Sequence, residues 1–177
     1  CKSASLGLET GSQDVRNGLL HKPTSNEVYV KAFKLLEENN IRKCSFNMIG
    51  LPNEQQEDIF KTIAINKLCK TSIQGISNFY PYKGTPIRRM LIEKGMLNEE
   101  REKELLKGYD FITHTENNKS VLLFKGDMNN VVLSKIMYLF GNYVTWPVKL
   151  WPLIDLIKNK KKNNEFVNLL WDKINAI

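Results

Sequence analysis

The sequence predicts an α/β fold: three consecutive βα units over residues 1–97 that build a parallel sheet, then an α-helical extension over residues 98–177. Strand-like runs begin near residues 4, 43 and 73, a spacing that fits one helix between successive strands. Each run ends in a turn marked by Gly or Pro and passes into residues of helical period. Beyond Asn98 the strand-like runs give way to helical ones.

"ASLGLET" reads as the first strand. In "HKPTSNEVYVKAFKLLEENN", Pro23 and a Thr24 to Glu27 capping box mark a helix start, and Val28, Ala32, Leu35 and Leu36 share one face. "KCSFNMIG" is the second strand; a helix follows Pro52, with Asn53 and Gln56 as its cap pair and Ile59, Phe60, Ile63 and Ala64 as its buried side. "SIQGISNFYPY" is the third strand, and "GTPIRRMLIEKG" a short helix that stops at Gly95. Crossovers between parallel strands of this kind are right-handed. In the extension, "EEREKELLKGYDFI", "DMNNVVLSKIMYLFG", "WPVKLWPLIDLIKNKKK" and "NNEFVNLLWDKINAI" read as helices, with "SVLLFKG" as a short extended segment. Phe166, Leu170, Ile174 and Ile177 form a packing stripe on the last.

A chain of 177 residues, 42% hydrophobic and 25% charged, can bury a core. Its net charge of +7 is spread out: 14 basic against 9 acidic residues over 1–97, 6 against 7 over 98–146, and 6 against 3 over 147–177. Without an arginine-rich stripe, no nucleic-acid partner is expected. Cys1, Cys44 and Cys69 lie far apart, so zinc spacing and a disulfide framework are both absent, and a reducing cytoplasm is the expected compartment. His21 and His114 have no metal-spaced partners. The chain opens on a strand without an initiator Met, which suggests a piece of something larger.

In parallel βα folds, loops leaving the carboxyl ends of strands open on one face, where ligands bind. Three turns fall there. "GLETGS" puts Glu9 at a strand end, "MIGLPNE" brings bare backbone to the next, and "FYPYKGTP" adds aromatic rings. A glycine lets a ligand lie against the backbone; the plainer reading of each turn is a tight strand-to-helix connection.

"LGLETGSQDVRNGLLHKPTSNE", "FNMIGLPNEQQEDIFKTI" and "NFYPYKGTPI" resemble, in order and separation, the carboxyl-terminal half of the barrel of radical S-adenosylmethionine (SAM) enzymes, and most closely the group often fused to a cobalamin-binding domain. The resemblance covers residues 1–97 and implies half of a TIM-like partial (β/α) barrel. It implies reductive cleavage of SAM to a 5'-deoxyadenosyl radical for hydrogen abstraction from a small-molecule or lipid-like substrate, and methyl transfer if cobalamin is present. The family holds a four-iron four-sulfur cluster on a Cys-x-x-x-Cys-x-x-Cys loop. This chain has no such loop, so the cluster ligands are expected on a missing amino-terminal half, and the fragment is expected to be inactive alone. A half barrel would also leave a strand edge and an inner face uncovered.

By the same resemblance, Glu9 matches the acid that meets SAM near its ribose or amino end, with Thr10 in place of the usual Ser and Ser12 completing the turn. Lys22 matches a basic position able to meet the SAM carboxylate. Ile49, Gly50 and Leu51 match the turn that packs against adenine, with Asn53 where Gly is usual. Phe79, Tyr80 and Pro81 match the segment whose backbone reads the adenine edge. Each has a plainer role: a turn-capping acid, a solvated lysine, strand-end packing.

Two other classes compete. A different nucleotide-binding α/β protein is disfavoured because no Gly-x-Gly-x-x-Gly or Walker pattern follows a strand. The other is a non-enzymatic interaction module whose basic tail, Trp146 and Trp151 followed by lysines over 158–162, contacts membrane or nucleic acid. Pro147 and Pro152 interrupt an interfacial helix, so a packed helix is expected instead.

Overall fold

The computed structural model describes residues 1–107, 120–124 and 128–152. Three parallel strands, β1 (Ser3–Glu9), β2 (Arg42–Ile49) and β3 (Ile73–Asn78), form one sheet in the order β1-β2-β3. Six helices accompany them: α1 (Gln13–Gly18), α2 (Asn26–Glu38), α3 (Gln56–Leu68), α4 (Pro86–Glu93), α5 (Glu99–Leu106) and α6 (Asn130–Thr145). The α/β class, the parallel pairing and the three βα units are as the sequence predicts. The described strands make an open sheet.

Alternation along β2 sorts the two faces. Lys43, Ser45, Asn47 and Ile49 are buried, and α2, α3 and α6 pack on their side. Ile49, Ile59 and Ile63 meet Leu133, Ile136 and Phe140 of α6, while Leu8 meets Tyr29, Phe33 and Ile65. Ser45, Asn47 and Asn66 form a buried chain of hydrogen bonds of 2.5–3.0 Å that fixes α3 against β2. On the opposite face Gly7, Phe46 and Gly75 stand side by side in register, and Phe46 and Ile73 are 57% and 50% exposed. Parallel sheets are normally covered on both faces, and among the described residues this face is left largely bare.

Several sequence expectations need correction. On α2 the buried residues are Tyr29 and Phe33, whereas Val28 and Leu35 are exposed. The stripe is rotated by one position because Tyr29 is drawn inward, where its hydroxyl donates to the Gly7 carbonyl at 2.9 Å. The N-cap of α2 is Ser25, not Thr24, whose carbonyl accepts instead from Arg16. The N-cap of α3 is Gln55, with Asp58 accepting from its amide at 3.2 Å, in place of the Asn53–Gln56 pair. The short α1 was not expected, and β3 ends at Asn78, before the aromatic residues.

Of "SVLLFKG", residues 120–124 are described, and there Leu122 forms an antiparallel bridge with Leu97. The α6 end is secured by Lys67, whose Nζ donates to Val144 and Trp146 carbonyls at 3.0 and 2.6 Å. Trp151 packs on Phe60 and Tyr143 at ring distances of 5.7 and 5.4 Å, the packed role expected of it. The last helix, its Phe166 stripe and the lysine run over 158–162 lie outside the described residues. Among the described residues no helix is long and apolar enough to cross a membrane.

Candidate functional site

The carboxyl end of β1 gathers charge. A register shift falls between Gly7 and Glu9, and Glu9 has φ 65°. The Thr10 amide donates to the Leu8 carbonyl at 2.9 Å across Glu9, which makes a γ-turn of the rarer, positive-φ form. A Cβ on Gly7 would stand 2.5 Å from Glu9 Oε1, so the carboxylate folds back over Gly7 on the same side as Phe46. Lys22 Nζ lies 3.3 Å from Glu9 Oε1 and donates to the Gly7 carbonyl at 2.5 Å. Glu9 and Lys22 side chains remain 25% and 37% exposed, open to a ligand. A carboxylate beside an ammonium can take the two ends of an amino-acid group, or a ribose hydroxyl and an anion.

Thr10 and Ser12 are buried and internally satisfied. Thr10 Oγ1 is 3.3 Å from Thr62 Oγ1 and accepts from the Ser12 amide at 3.2 Å. Gly11 touches α3 directly, since a Cβ there would come within 2.3 Å of the Lys61 carbonyl oxygen and 2.6 Å of the Thr62 amide. These three residues seat the turn on α3, and a ligand meets Glu9 rather than them. Gly11→Ala should therefore lower stability by about 1–3 kcal/mol through overpacking, read by urea unfolding; an unchanged midpoint would refute the close approach.

The second turn is buried. Ile49 and Leu51 are fully covered, and Gly50 has φ +73° with Leu133 Cδ1 3.1 Å and Phe124 Cζ 3.4 Å from where its Cβ would be. The glycine thus serves turn geometry and close packing, and the place assigned to a flat base is filled by side chains of the extension. Asn53 has φ 62°, a conformation Asn tolerates better than most residues, which is how it stands where Gly is usual. The sequence reading missed Glu54. Its Oε2 accepts from the Gly50 and Leu51 amides at 2.7 and 3.1 Å, while Oε1 is buried without a partner. Burial pushes its pKa up to about 8, opposed by the two amides and helped by the charge of Asp58.

The third turn adjoins the second through the Phe79 amide, which donates to the Ile49 carbonyl at 2.8 Å. Phe79 packs with Leu51, Leu91 and Leu122. Tyr80 donates to Glu102 Oε1 at 2.7 Å, and the buried Pro81 gives its carbonyl to Arg88 Nη1 at 3.0 Å. Burial, then Glu102, raises the Tyr80 hydroxyl to about 12. Beside this turn a cavity of about 220 Å³ is lined by Met48, Ser77, Asn78, Tyr80, Tyr82 and Thr85. A larger groove of about 700 Å³, bordered by Gly11, Asn26, Lys31, Lys61 and Leu68, runs between α2 and α3 on the helical side. It excludes the Glu9–Lys22 pair.

Of the residues singled out from sequence, then, Glu9 and Lys22 meet in one open site, while Ile49, Gly50, Leu51 and Phe79 share an enclosed one. Among the described residues no group of three or more His, Cys, Asp or Glu is placed to hold a metal ion. The cysteines do not suit an iron–sulfur cluster: Cys1 is exposed, Cys44 lies on β2, and burial raises the Cys69 thiol to about 11, against thiolate formation. No family model and no curated protein gives a significant match to the chain.

Proposed function

We propose that this chain is the carboxyl-terminal half of a radical SAM barrel and that Glu9 and Lys22 are its contacts to SAM. The observation that carries the reading is the bare sheet face: three parallel strands, covered on one side by helices, present Phe46 and Ile73 on the other, with the Glu9–Lys22 pair at the carboxyl end of that face. An amino-terminal half of the barrel would cover the face and bring the cluster ligands this chain lacks. Cluster and SAM, with cobalamin if that domain is present, would supply the reductive chemistry. This chain's part is to bind and orient, Glu9 accepting from hydroxyl or ammonium groups and Lys22 pairing with a carboxylate.

The covered Gly50 turn narrows the proposal. With Leu133 and Phe124 against Gly50, adenine would lie toward the third turn, beside the cavity at Tyr80 and Tyr82.

Translation of the coding sequence upstream of Cys1 is the direct test. The reading requires βα units with a Cys-x-x-x-Cys-x-x-Cys loop there, and an unrelated sequence would end it. In the intact protein Glu9→Gln should weaken SAM binding by about 1–3 kcal/mol, the range for a lost charge-assisted hydrogen bond, with the cluster spectrum unaltered. Equal affinity by equilibrium dialysis would return Glu9 to turn capping.

A further inference from the structure

We infer that Arg16 is a positioning residue that holds Glu9 in a strained backbone conformation and thereby presents its carboxylate on the bare face of the sheet. Among the described residues five that are not Gly have positive φ: Glu9, His21, Asn40, Asn53 and Lys70. Asn40 and Lys70 directly follow the caps of α2 and α3, where left-handed backbone is ordinary, and Asn53 is a residue type that tolerates it. His21 lies in the loop after α1. Glu9 is the last residue of a strand and carries a long side chain, and the γ-turn closed across it by the Thr10 amide and Leu8 carbonyl is of the rare, strained form. Strain of this kind persists only where the surroundings over-determine it, and it clusters at functional sites.

The surroundings here are specific. The carbonyls that bracket the turn are clamped: Gly7 O, two residues before Glu9, by Lys22 and Tyr29, and Thr10 O, one residue after it, by Arg16 Nη1 at 2.5 Å. Arg16 is fully buried. Its Nε donates to Thr24 O at 2.9 Å, its Nη2 to Asn26 Oδ1 at 2.6 Å, and its guanidinium stands 5.1 Å from the centre of the Tyr29 ring. Among the described residues no carboxylate forms a salt bridge with it.

A buried cation spent on neutral acceptors is an expensive way to stabilise a loop. Its planar fork joins the Thr10 turn to the Thr24–Asn26 segment through two backbone carbonyls and one side-chain oxygen, in a way a lysine cannot reproduce. The fork holds the Thr10–Gly11 peptide and Tyr29, stacked beneath it, holds the Gly7–Leu8 peptide, so the Leu8–Glu9–Thr10 turn is pinned at both ends. That the presented carboxylate serves SAM rests on the proposed function; that it is strained by Arg16 does not.

The test is a double-mutant cycle on the chain, read by thermal unfolding. Glu9→Gly should raise the melting temperature by about 2–4 °C, the shift for a modest release of strain in a chain of this size. In an Arg16→Lys background the same substitution should give no gain, because Glu9 has already relaxed. In the Arg16→Lys variant, the Glu9 amide-to-Hα coupling should also move to that of extended backbone. A melting temperature lowered by Glu9→Gly, or a gain that survives Arg16→Lys, overturns the inference. If Arg16→Lys does not fold, Asn26→Ala removes one acceptor of the fork and should shrink the gain; an undiminished gain overturns it equally. Failure of the intact protein to bind SAM would end the proposed function and leave this cycle to be judged by its temperatures.

Discussion

Wild-type protein should lose stability steadily as pH rises from about 5 to 8, and Glu54→Gln should abolish that slope. Glu54 is 1% exposed, and its carboxyl titrates at about 8 in the folded chain against 4.5 as a free group. Between those values the folded chain keeps a proton that the unfolded chain has released. Unfolding is then favoured by ~1.4 kcal/mol per pH unit, on the order of 4–5 kcal/mol over the window. The stabilising share is complete below pH 4.5 and lost as pH climbs through the folded value. Gln keeps an oxygen for the Gly50 and Leu51 amides and cannot ionise, so above pH 8 the variant should be the more stable protein. Urea unfolding at pH 5, 7 and 9 decides it: parallel pH profiles for the two proteins would mean that Glu54 ionises freely where it sits.

Why a buried acid should sit there follows from the turn. Gly50 leaves β2 with positive φ, and its own amide and that of Leu51 both donate to Glu54 Oε2. Two backbone donors buried without acceptors would cost several kcal/mol between them, and one carboxyl oxygen satisfies both. The Gly-Leu-Pro stop in the sequence thus has its answer four residues on, in an acid that reads on paper as an ordinary helix-opening residue.

The three strands were legible because their apolar runs are bounded by turn residues, and their parallel order because helices fit the spacing between them. The open Glu9–Lys22 pair was legible as two residue types, yet its geometry was not. It depends on Lys22 and Tyr29 meeting at the Gly7 carbonyl, and Tyr29 lies outside the Val28–Leu36 stripe that periodicity picks. On α2 two stripes compete in the pattern, one through Val28 and Leu35 and one through Tyr29 and Phe33. The aromatic stripe wins because the larger side chains bury more area and Tyr29 finds a carbonyl. One signal was available for α1: Val15, Leu19 and Leu20 in "QDVRNGLL" repeat at helical spacing, and all three pack against the Leu51–Phe79 cluster. The enclosure of Gly50 was not readable, because it is made by Leu133 and Phe124 more than seventy residues away.

Arg88→Met should cost about 3–5 kcal/mol, the range for leaving a buried carboxylate without its cation. Arg88 and Glu102 are 4% and 3% exposed. The guanidinium holds Glu102 with Nη1 and Nη2 at 3.0 and 2.6 Å, adds Glu99 at 2.9 Å, and ties α4 to the third turn through Pro81 O. Burial alone would raise the Glu102 pKa, but Arg88 and the Tyr80 hydroxyl outweigh it and hold it below the ordinary value. Its contribution is therefore present above the unfolded pKa near 4.5 and lost as pH falls through the folded value, opposite in sign and window to that of Glu54. Met approximates the volume of Arg and makes no hydrogen bond, so the loss reports the ion pair more than a cavity. Arg88→Met combined with Glu102→Leu should recover most of the stability, since two apolar groups leave no stranded charge. Urea unfolding at pH 7 reads both. A loss under about 1 kcal/mol for the single variant would place the pair with solvent-exposed bridges, and a double variant no better than the single would show that packing, not charge, holds α4 to α5.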